Sequence, residues 1–310
     1  MLEVIGVGES DVDIYLQAAH PPRRGEKVRA REIGKLPGGM IGNFCAGVAN
    51  YGVPCGIVTV VGDDEYGTLA LKDYRSRGID TTGLTVVSGG QTFYCVVHID
   101  LTGEKSLTAV VTPLANPTVE QVPANYLRQA KYVHINSMDR TLAGYVTDCL
   151  AGSGTRLSLD YESHAEKAGF DSWRPVLEKT AVLFLNEEGL ESLLPGLTTD
   201  EAAPQILALG VEYLVITCAE KGGLIYTADG CHCYRAFRAG QAADTTGAGD
   251  CFNAAFLCGV LREQSVEEAA RYAAAAAALS IRTVGARAGS PTREEVLAFL
   301  AGGPEEIFCE

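Results

Sequence analysis

Short apolar runs alternate with amphipathic stretches along most of this chain. Leu2–Val7, Cys55–Val61, Tyr132–Ile135, Arg156–Asp160, Ala181–Leu185 and Val211–Thr217 are of strand length and rich in Val, Ile and Leu. Glu65–Arg77 and Thr141–Leu150 follow two of these runs with helical spacing. Apolar strands alternating with helices predict an α/β fold with a doubly wound, mostly parallel sheet covered on both faces. Val12–Leu16, Lys27–Gly34, Thr92–Ile99 and Lys105–Val111 behave differently. They mix polar and apolar positions and predict exposed strands that something has to cover, with Leu101-Thr102-Gly103-Glu104 as a hairpin turn. Ile41–Asn50, Cys251–Leu261 and the alanine run 273–278 predict helices. No low-complexity linker, internal repeat or break in composition divides the chain, so we expect one domain over residues 1–310.

Composition changes this picture little. Hydrophobic residues make up 47% and charged residues 21%, as in ordinary globular proteins. A net charge of −14 argues against a nucleic-acid partner, although an anionic nucleotide can still bind locally. Ten cysteines are scattered rather than framed, and Cys231-x-Cys233 is the one close pair, which we read as strand residues. With no basic segment at the N-terminus, we expect reduced thiols in the cytoplasm and no secretory signal. The longest apolar run is too short for a bilayer, so no membrane partner is expected.

The chemistry concentrates in Asp244-Thr245-Thr246-Gly247-Ala248-Gly249-Asp250, which opens an apolar helix. Two glycines and an alanine at a helix start leave backbone N–H groups bare, and these form an anion site with the positive helix end. Asp250 would repel a permanent anion there. Its presence makes sense if it takes a proton from a hydroxyl attacking a phosphoryl group held on those amides. Read in isolation, Asp250 is equally an acidic residue dressing a first helical turn. Asp244 suits an N-cap or a cation ligand. Asp11 and Asp13 follow the first strand, where α/β sheets place ligands. Gly38 and Gly39 let backbone approach a ligand, and Asn43 one turn later can both donate to and accept from a hydroxyl. Gly6-Val7-Gly8 resembles the start of a dinucleotide fingerprint, but Asp11 replaces the third glycine and a strand follows instead of a helix. A dehydrogenase is therefore disfavoured. A P-loop lysine motif is also missing.

Asp244–Asp250 running into Cys251-Phe252-Asn253-Ala254-Ala255-Phe256-Leu257 resembles the second signature of the ribokinase-like (phosphofructokinase-B) carbohydrate kinases. Gly38-Gly39-Met40-Ile41-Gly42-Asn43, through Tyr51-Gly52 to Gly62-Asp63, resembles the first. The resemblance implies ATP- and Mg²⁺-dependent phosphorylation of a hydroxymethyl group on a sugar or sugar derivative. It assigns Asp250 as general base and the amides of Gly247, Ala248 and Gly249 as anion hole. Asp13, Gly38, Gly39 and Asn43 would hold the acceptor. Asn186, Thr217, Gly222, Gly285 and Ala286 would border the nucleotide. Glu188 would reach Mg²⁺ through water, with Glu187 and Glu191 as neighbours. Asp244 and Thr246 would bind K⁺ in a potassium-activated member. The family also implies a small β lid inserted at about 12–36 and 92–111, with Tyr15 and Tyr94 as contact candidates, and a homodimer formed through that lid.

The chain departs from the family pattern in several places. Met40-Ile41-Gly42-Asn43 replaces the Lys-Gly-Ala-Asn of ribokinases proper, which puts ribose itself in question. Gly189 stands where Asn-x-x-Glu has its Glu. Ala219 replaces a glycine of Thr-x-Gly-x-x-Gly, which a negative φ would accommodate. The alanine run removes the usual adenine-binding side chains, so adenine affinity would rest on shape and apolar contact. Lys221 is a candidate phosphate neighbour, and Arg31 and Arg140 are candidate partners for a sugar acid. A nucleoside kinase of the same family and a non-catalytic sugar-binding regulator remain as alternative readings.

Overall fold

The computed structural model describes residues 2–101, 105–163 and 169–307. The turn expected at Leu101-Thr102-Gly103-Glu104 lies largely outside the described residues. In chain order the first elements are β1 (Val4–Val7), β2 (Asp11–Gln17), β3 (Arg31–Gly38), α1 (Met40–Asn50), β4 (Cys55–Gly62), α2 (Glu65–Ser76), β5 (Asp80–Val87), β6 (Tyr94–Ile99) and β7 (Lys105–Val110). Then follow α3 (Ala124–Leu127), β8 (Tyr132–Asn136), α4 (Arg140–Leu150), β9 (Arg156–Tyr161), α5 (Gly169–Leu177), β10 (Thr180–Asn186), α6 (Glu187–Leu193), α7 (Thr199–Leu207) and β11 (Tyr213–Thr217). The chain closes with the hairpin β12 (Gly223–Thr227) and β13 (Gly230–Tyr234), then α8 (Ala248–Leu261), α9 (Val266–Ser280) and α10 (Arg293–Ala301).

The main sheet has nine strands in the order β13-β12-β11-β10-β9-β8-β1-β4-β5. All pairings from β11 to β5 are parallel, and β12 and β13 add an antiparallel edge. The fold is thus the expected α/β class. β1 lies between β4 and β8, so the winding direction reverses beside it. The crevice at the carboxyl end of such a strand is where open α/β sheets bind ligands. One apolar core joins α1, α8 and α9 to one face of the sheet; a second joins α4 to α7 to the other. The alanine run explains how α9 packs: Ala273, Ala274, Ala275 and Ala276 are all buried, and small side chains let α9 lie close to α8.

β2, β3, β6 and β7 form a separate four-stranded sheet in the order β3-β2-β6-β7. β6 reads half-buried, buried, half-buried along its length, as a strand with one covered face should. The strand expected at 27–34 starts four residues later, at Arg31. Its backbone pairs with β2 from Gln17↔Arg31 to Asp11↔Gly38. That register brings Gly38 against the two aspartates of β2.

Candidate active site

β2 leaves β1 at the switch point, and its period-2 alternation turns Asp11, Asp13 and Tyr15 to one face. Gly38 faces them closely. A Cβ there would stand 2.3 Å from Asp11 Oδ1 and 2.6 Å from Asp13 Oδ2. Gly39 (φ +85°) caps α1, and a Cβ on it would strike the backbone of Ser10 and Asp11. The two glycines are therefore what allows the aspartates and the α1 N-terminus to share one space.

The N-termini of α1 and α8 converge across that space. Asn43 Nδ2 donates to Asp250 Oδ2 at 2.9 Å. Asp250 is buried, and desolvation pushes its carboxyl up to about 7; the Asn43 hydrogen bond opposes this, and the nearby charges of Glu162 and Glu9 add to it. Such a group changes protonation near neutral pH, as a general base should. Gly247 caps α8 in the left-handed region at φ +76°. Cys251 N–H donates back to the Gly247 carbonyl. Among the described residues no carbonyl accepts from the N–H of Gly249 or Asp250. The amide of Ala248 departs from expectation, since it donates to the Thr245 carbonyl at 3.3 Å. Among the described residues the amides left without a carbonyl partner at this helix end are accordingly those of Gly247, Gly249 and Asp250.

Two clefts meet at this helix end. The first, about 470 Å³, is walled by Asp11, Asp13, Gly39, Asn43 and Asp250, with Phe93 just before β6 and Cys95, Leu107 and Ala109 from β6 and β7. The second, about 610 Å³, runs over Gly222, Tyr234, Phe237, Phe252, Ala274, Ala277, Ala278 and Ile281. Asn186, Thr217, Thr245, Ala248 and Gly249 line both clefts. The alanine run thus supplies the apolar wall expected for an adenine, joined by residues 236–240 and Ile307, which carried no sequence signal.

Several expected roles move. Gly285 and Ala286 border neither cleft. Gly285 N–H donates to Asp244 Oδ2, and Ala286 lies behind Gly247, where a Cβ would approach it to 2.6 Å. They pack against the Asp244–Asp250 loop from behind. Asp244 is heavily engaged as well. Oδ1 accepts from Thr246 N and Oγ1 and from Lys105 Nζ, and Oδ2 accepts from Tyr15 OH and Gly285 N. Its side chain therefore clamps the loop, and the Lys105 ammonium stands where a cation ligand set was expected, 2.5 Å from Thr246 Oγ1. Tyr15 is fully buried in this clamp and Tyr94 turns to the Tyr66 ring, so neither lines the acceptor cleft. Glu188 is exposed and pairs with Ser163, and Glu191 accepts from Gly196 N–H; neither faces a cleft. Asp160 and Glu162, at the end of β9, line the first cleft in their place. Asn186 lies in both walls, yet its carbonyl also caps α6 through Gly189 N–H at 2.7 Å. Ala219 adopts φ +49°, the left-handed region that the missing glycine would have favoured, in place of the negative φ expected.

Arg287 was not anticipated at all. It is buried and donates to Asn43 Oδ1 (3.2 Å), Asp73 Oδ2 (2.9 Å), Tyr74 OH (2.9 Å) and the Gly38 carbonyl. Its guanidinium lies over the Tyr74 ring at 4.6 Å. It fixes the Asn43 amide so that the nitrogen points at Asp250. Its contacts lie 210 to 250 residues away in sequence, so no local pattern could reveal it.

The whole chain compares closely with known proteins. It is 29% identical over 303 residues to an ATP-dependent ribose-1-phosphate kinase of Halopiger xanaduensis, covering 97% of this chain and 99% of that protein. It is 30% identical over 307 residues to a ribokinase of Bacillus subtilis, covering 97% and 100%. The structure of Arabidopsis thaliana ribokinase complexed with ribose and ATP matches with a TM-score of 0.83 at 26% identity, over 97% of this chain and 99% of that one. The family model described as pfkB family carbohydrate kinase matches residues 1–293, spanning both signature stretches, and the chain belongs to that family.

Proposed function

We propose that this carbohydrate kinase transfers the γ-phosphoryl group of ATP in line to a primary hydroxyl of a sugar-like acceptor. One observation carries the mechanism: Asp250 lines the first cleft beside Gly249, which lines both, and it is buried at a helix N-terminus next to bare amides. The apolar second cleft takes the nucleoside, and the phosphates run along Thr217, Asn186 and Gly249 toward the shared wall. Asp13, Gly39 and Asn43 orient the acceptor so that its hydroxyl faces Asp250. As the hydroxyl oxygen bonds to the γ-phosphorus, the bond from that phosphorus to the β,γ-bridging oxygen breaks, ADP leaves, and the hydroxyl proton passes to the Asp250 carboxylate. The N–H groups of Gly247, Gly249 and Asp250 meet the charge on the phosphoryl oxygens, each typically worth on the order of 10²–10³ in rate. Mg²⁺ prefers one or two carboxylates plus waters and neutralises phosphate charge when bound; Asp160 and Glu162 provide a fitting donor set. At the place expected for K⁺, the Lys105 ammonium already meets Asp244 and Thr246 and supplies the positive charge there. A cytoplasmic setting suits an enzyme drawing on ATP.

The test is a coupled ADP-release assay with purified protein, Mg-ATP and a panel of sugars and nucleosides. Asp250→Asn should lower turnover by roughly 10²–10⁴ while retaining ATP binding. Wild-type turnover in that variant would refute the assigned base, and no turnover on any acceptor would favour a sugar-binding regulator.

A further inference from the structure

The acceptor cleft carries an unusual charge. Six of its wall residues are carboxylic acids: Glu9, Asp11, Asp13, Asp160, Glu162 and Asp250. Among the described residues its wall includes no Lys, Arg or His. The two cations closest to it are already engaged with other carboxylates. Arg287 pairs with Asp73 at 2.9 Å, and Lys105 with Asp244 at 3.2 Å. Arg31, at the exposed start of β3, and Arg140, at the start of α4, lie outside the wall. The expected partner for an anionic acceptor is therefore missing from the described wall.

Asp160 and Glu162 have a use near the phosphates and Asp250 has one as the base, but the acids at the lid end have neither. There Asp11 and Asp13 are both about 96% buried, and their oxygens lie within 4.8 Å of each other and of Cys95 Sγ. Asp11 Oδ2 accepts only from the weak Cys95 thiol donor at 3.4 Å. Among the described residues Asp11 Oδ1 has no hydrogen-bond partner. A buried carboxylate oxygen left unpartnered is costly, and native proteins seldom leave one without a ligand to meet it. Burial and the charge of Asp13 already press the Asp11 carboxyl well above the ordinary range. A neutral hydroxyl meets only one lone pair and leaves the mutual repulsion in place. An ammonium group meets the repulsion as well, offering three donors to two facing carboxylates.

We infer that the acceptor this pocket selects is an amine-bearing polyol, such as an amino sugar, whose ammonium group seats against Asp11 and Asp13, and that sugar acids and sugar phosphates are excluded. The inference rests on the kinase reading above. It separates this chain from its ribose-1-phosphate kinase relative, whose substrate carries the opposite charge.

The test uses the purified full chain with Mg-ATP in the ADP-release assay, on matched pairs: glucosamine against glucose, galactosamine against galactose, with gluconate and ribose 1-phosphate as anionic acceptors. The aminated member of a pair should show the higher kcat/KM by at least about tenfold, a difference of about 1.4 kcal/mol. The anionic acceptors should be the poorest. In Asp11→Asn the ratio within a pair should fall toward one. Equal or better turnover of the neutral member, or efficient phosphorylation of an anionic acceptor, would overturn the inference and leave the kinase reading intact. An unchanged ratio in Asp11→Asn would also overturn it. The wild-type pairs decide the matter even if that variant does not fold. Silence from every acceptor, in the pairs and in the wider panel, would instead bring down the kinase reading.

Discussion

Arg287 controls the base without touching the reacting atoms. It holds the Asn43 oxygen, which leaves the Asn43 nitrogen for Asp250, and its charge pulls the Asp250 carboxyl down. Since Asp250 titrates near 7 and must be ionised to accept a proton, kcat/KM should rise with pH and level off above about 7. Arg287→Met should move that acid limb upward in a pH–rate profile. A purely structural role would lower the melting temperature and leave the limb in place. Removing the cation also takes one ion-pair partner from Asp73, which keeps Arg77 at 3.0 Å. Stability should respond to Asp250 in the opposite sense from activity. Its folded carboxyl titrates above the ordinary value of 3.8, so the stability tied to the protonated form is full below about pH 4 and lost as pH rises through 7. Asp250→Asn should therefore melt higher than wild type at pH 8 and match it near pH 4. Calorimetric scans at the two pH values would show this, and an equal difference at both would contradict the titration. These residues also mark the limit of sequence reasoning. Asp250, Asn43 and Asp13 stand in short motifs whose spacing reports their chemistry. Arg287 and the Asp11 orphan oxygen take their meaning from segments that meet only after folding.

At the scale of elements, the first turn of α8 separates fold from function in two glycines that flank Ala248. Gly247 needs its glycine for structure: its φ is +76° and Ala286 blocks a Cβ. Gly249 lies inside the helix and a Cβ on it meets nothing within 4 Å, because that direction opens into the clefts. Gly249→Ala should fold and gain up to about 1 kcal/mol from helix propensity, yet lose turnover and ATP affinity by crowding the phosphates. Gly247→Ala should lose stability first. Thermal melts beside ATP titrations distinguish the two, and a Gly249→Ala enzyme with unchanged KM for ATP would remove Gly249 from the phosphate path. The elements themselves were legible where burial is two-sided. β1, β4, β8, β9, β10 and β11 read directly as apolar runs. β5 did not: as the sheet edge it is only partly buried, and Asp80-Thr81-Thr82-Gly83 reads as a turn. β3 was misplaced because its polar residues carry no signal and its position is set by pairing with β2.

At the scale of the whole molecule, the second sheet is unfinished. β7 is exposed along almost its full length, and Ile33, Leu107 and Val111 are 43%, 53% and 72% exposed. Tyr15, Val97 and Ile99 already pack against Leu36 and Val284, while Leu107, paired with Val97, carries the same face out into the open. Edge strands left open in this way invite pairing, and natural proteins cover them. A second copy of the chain, presenting the same sheet, would cover the apolar positions and close the mouth of the acceptor cleft through Leu107. We therefore expect a dimer by light scattering at assay concentrations. Ile33→Lys, which puts a charge on the exposed strand far from the anion hole, should shift the mass toward the monomer. Because the acceptor cleft borrows Cys95, Leu107 and Ala109 from this sheet, the same variant should raise KM for the acceptor several-fold. KM for ATP should hold, since the second cleft takes no residue from the four strands. A wild-type monomer with full activity would refute the dimer, and a rise in KM for ATP equal to that for the acceptor would point to general unfolding instead of a loosened lid.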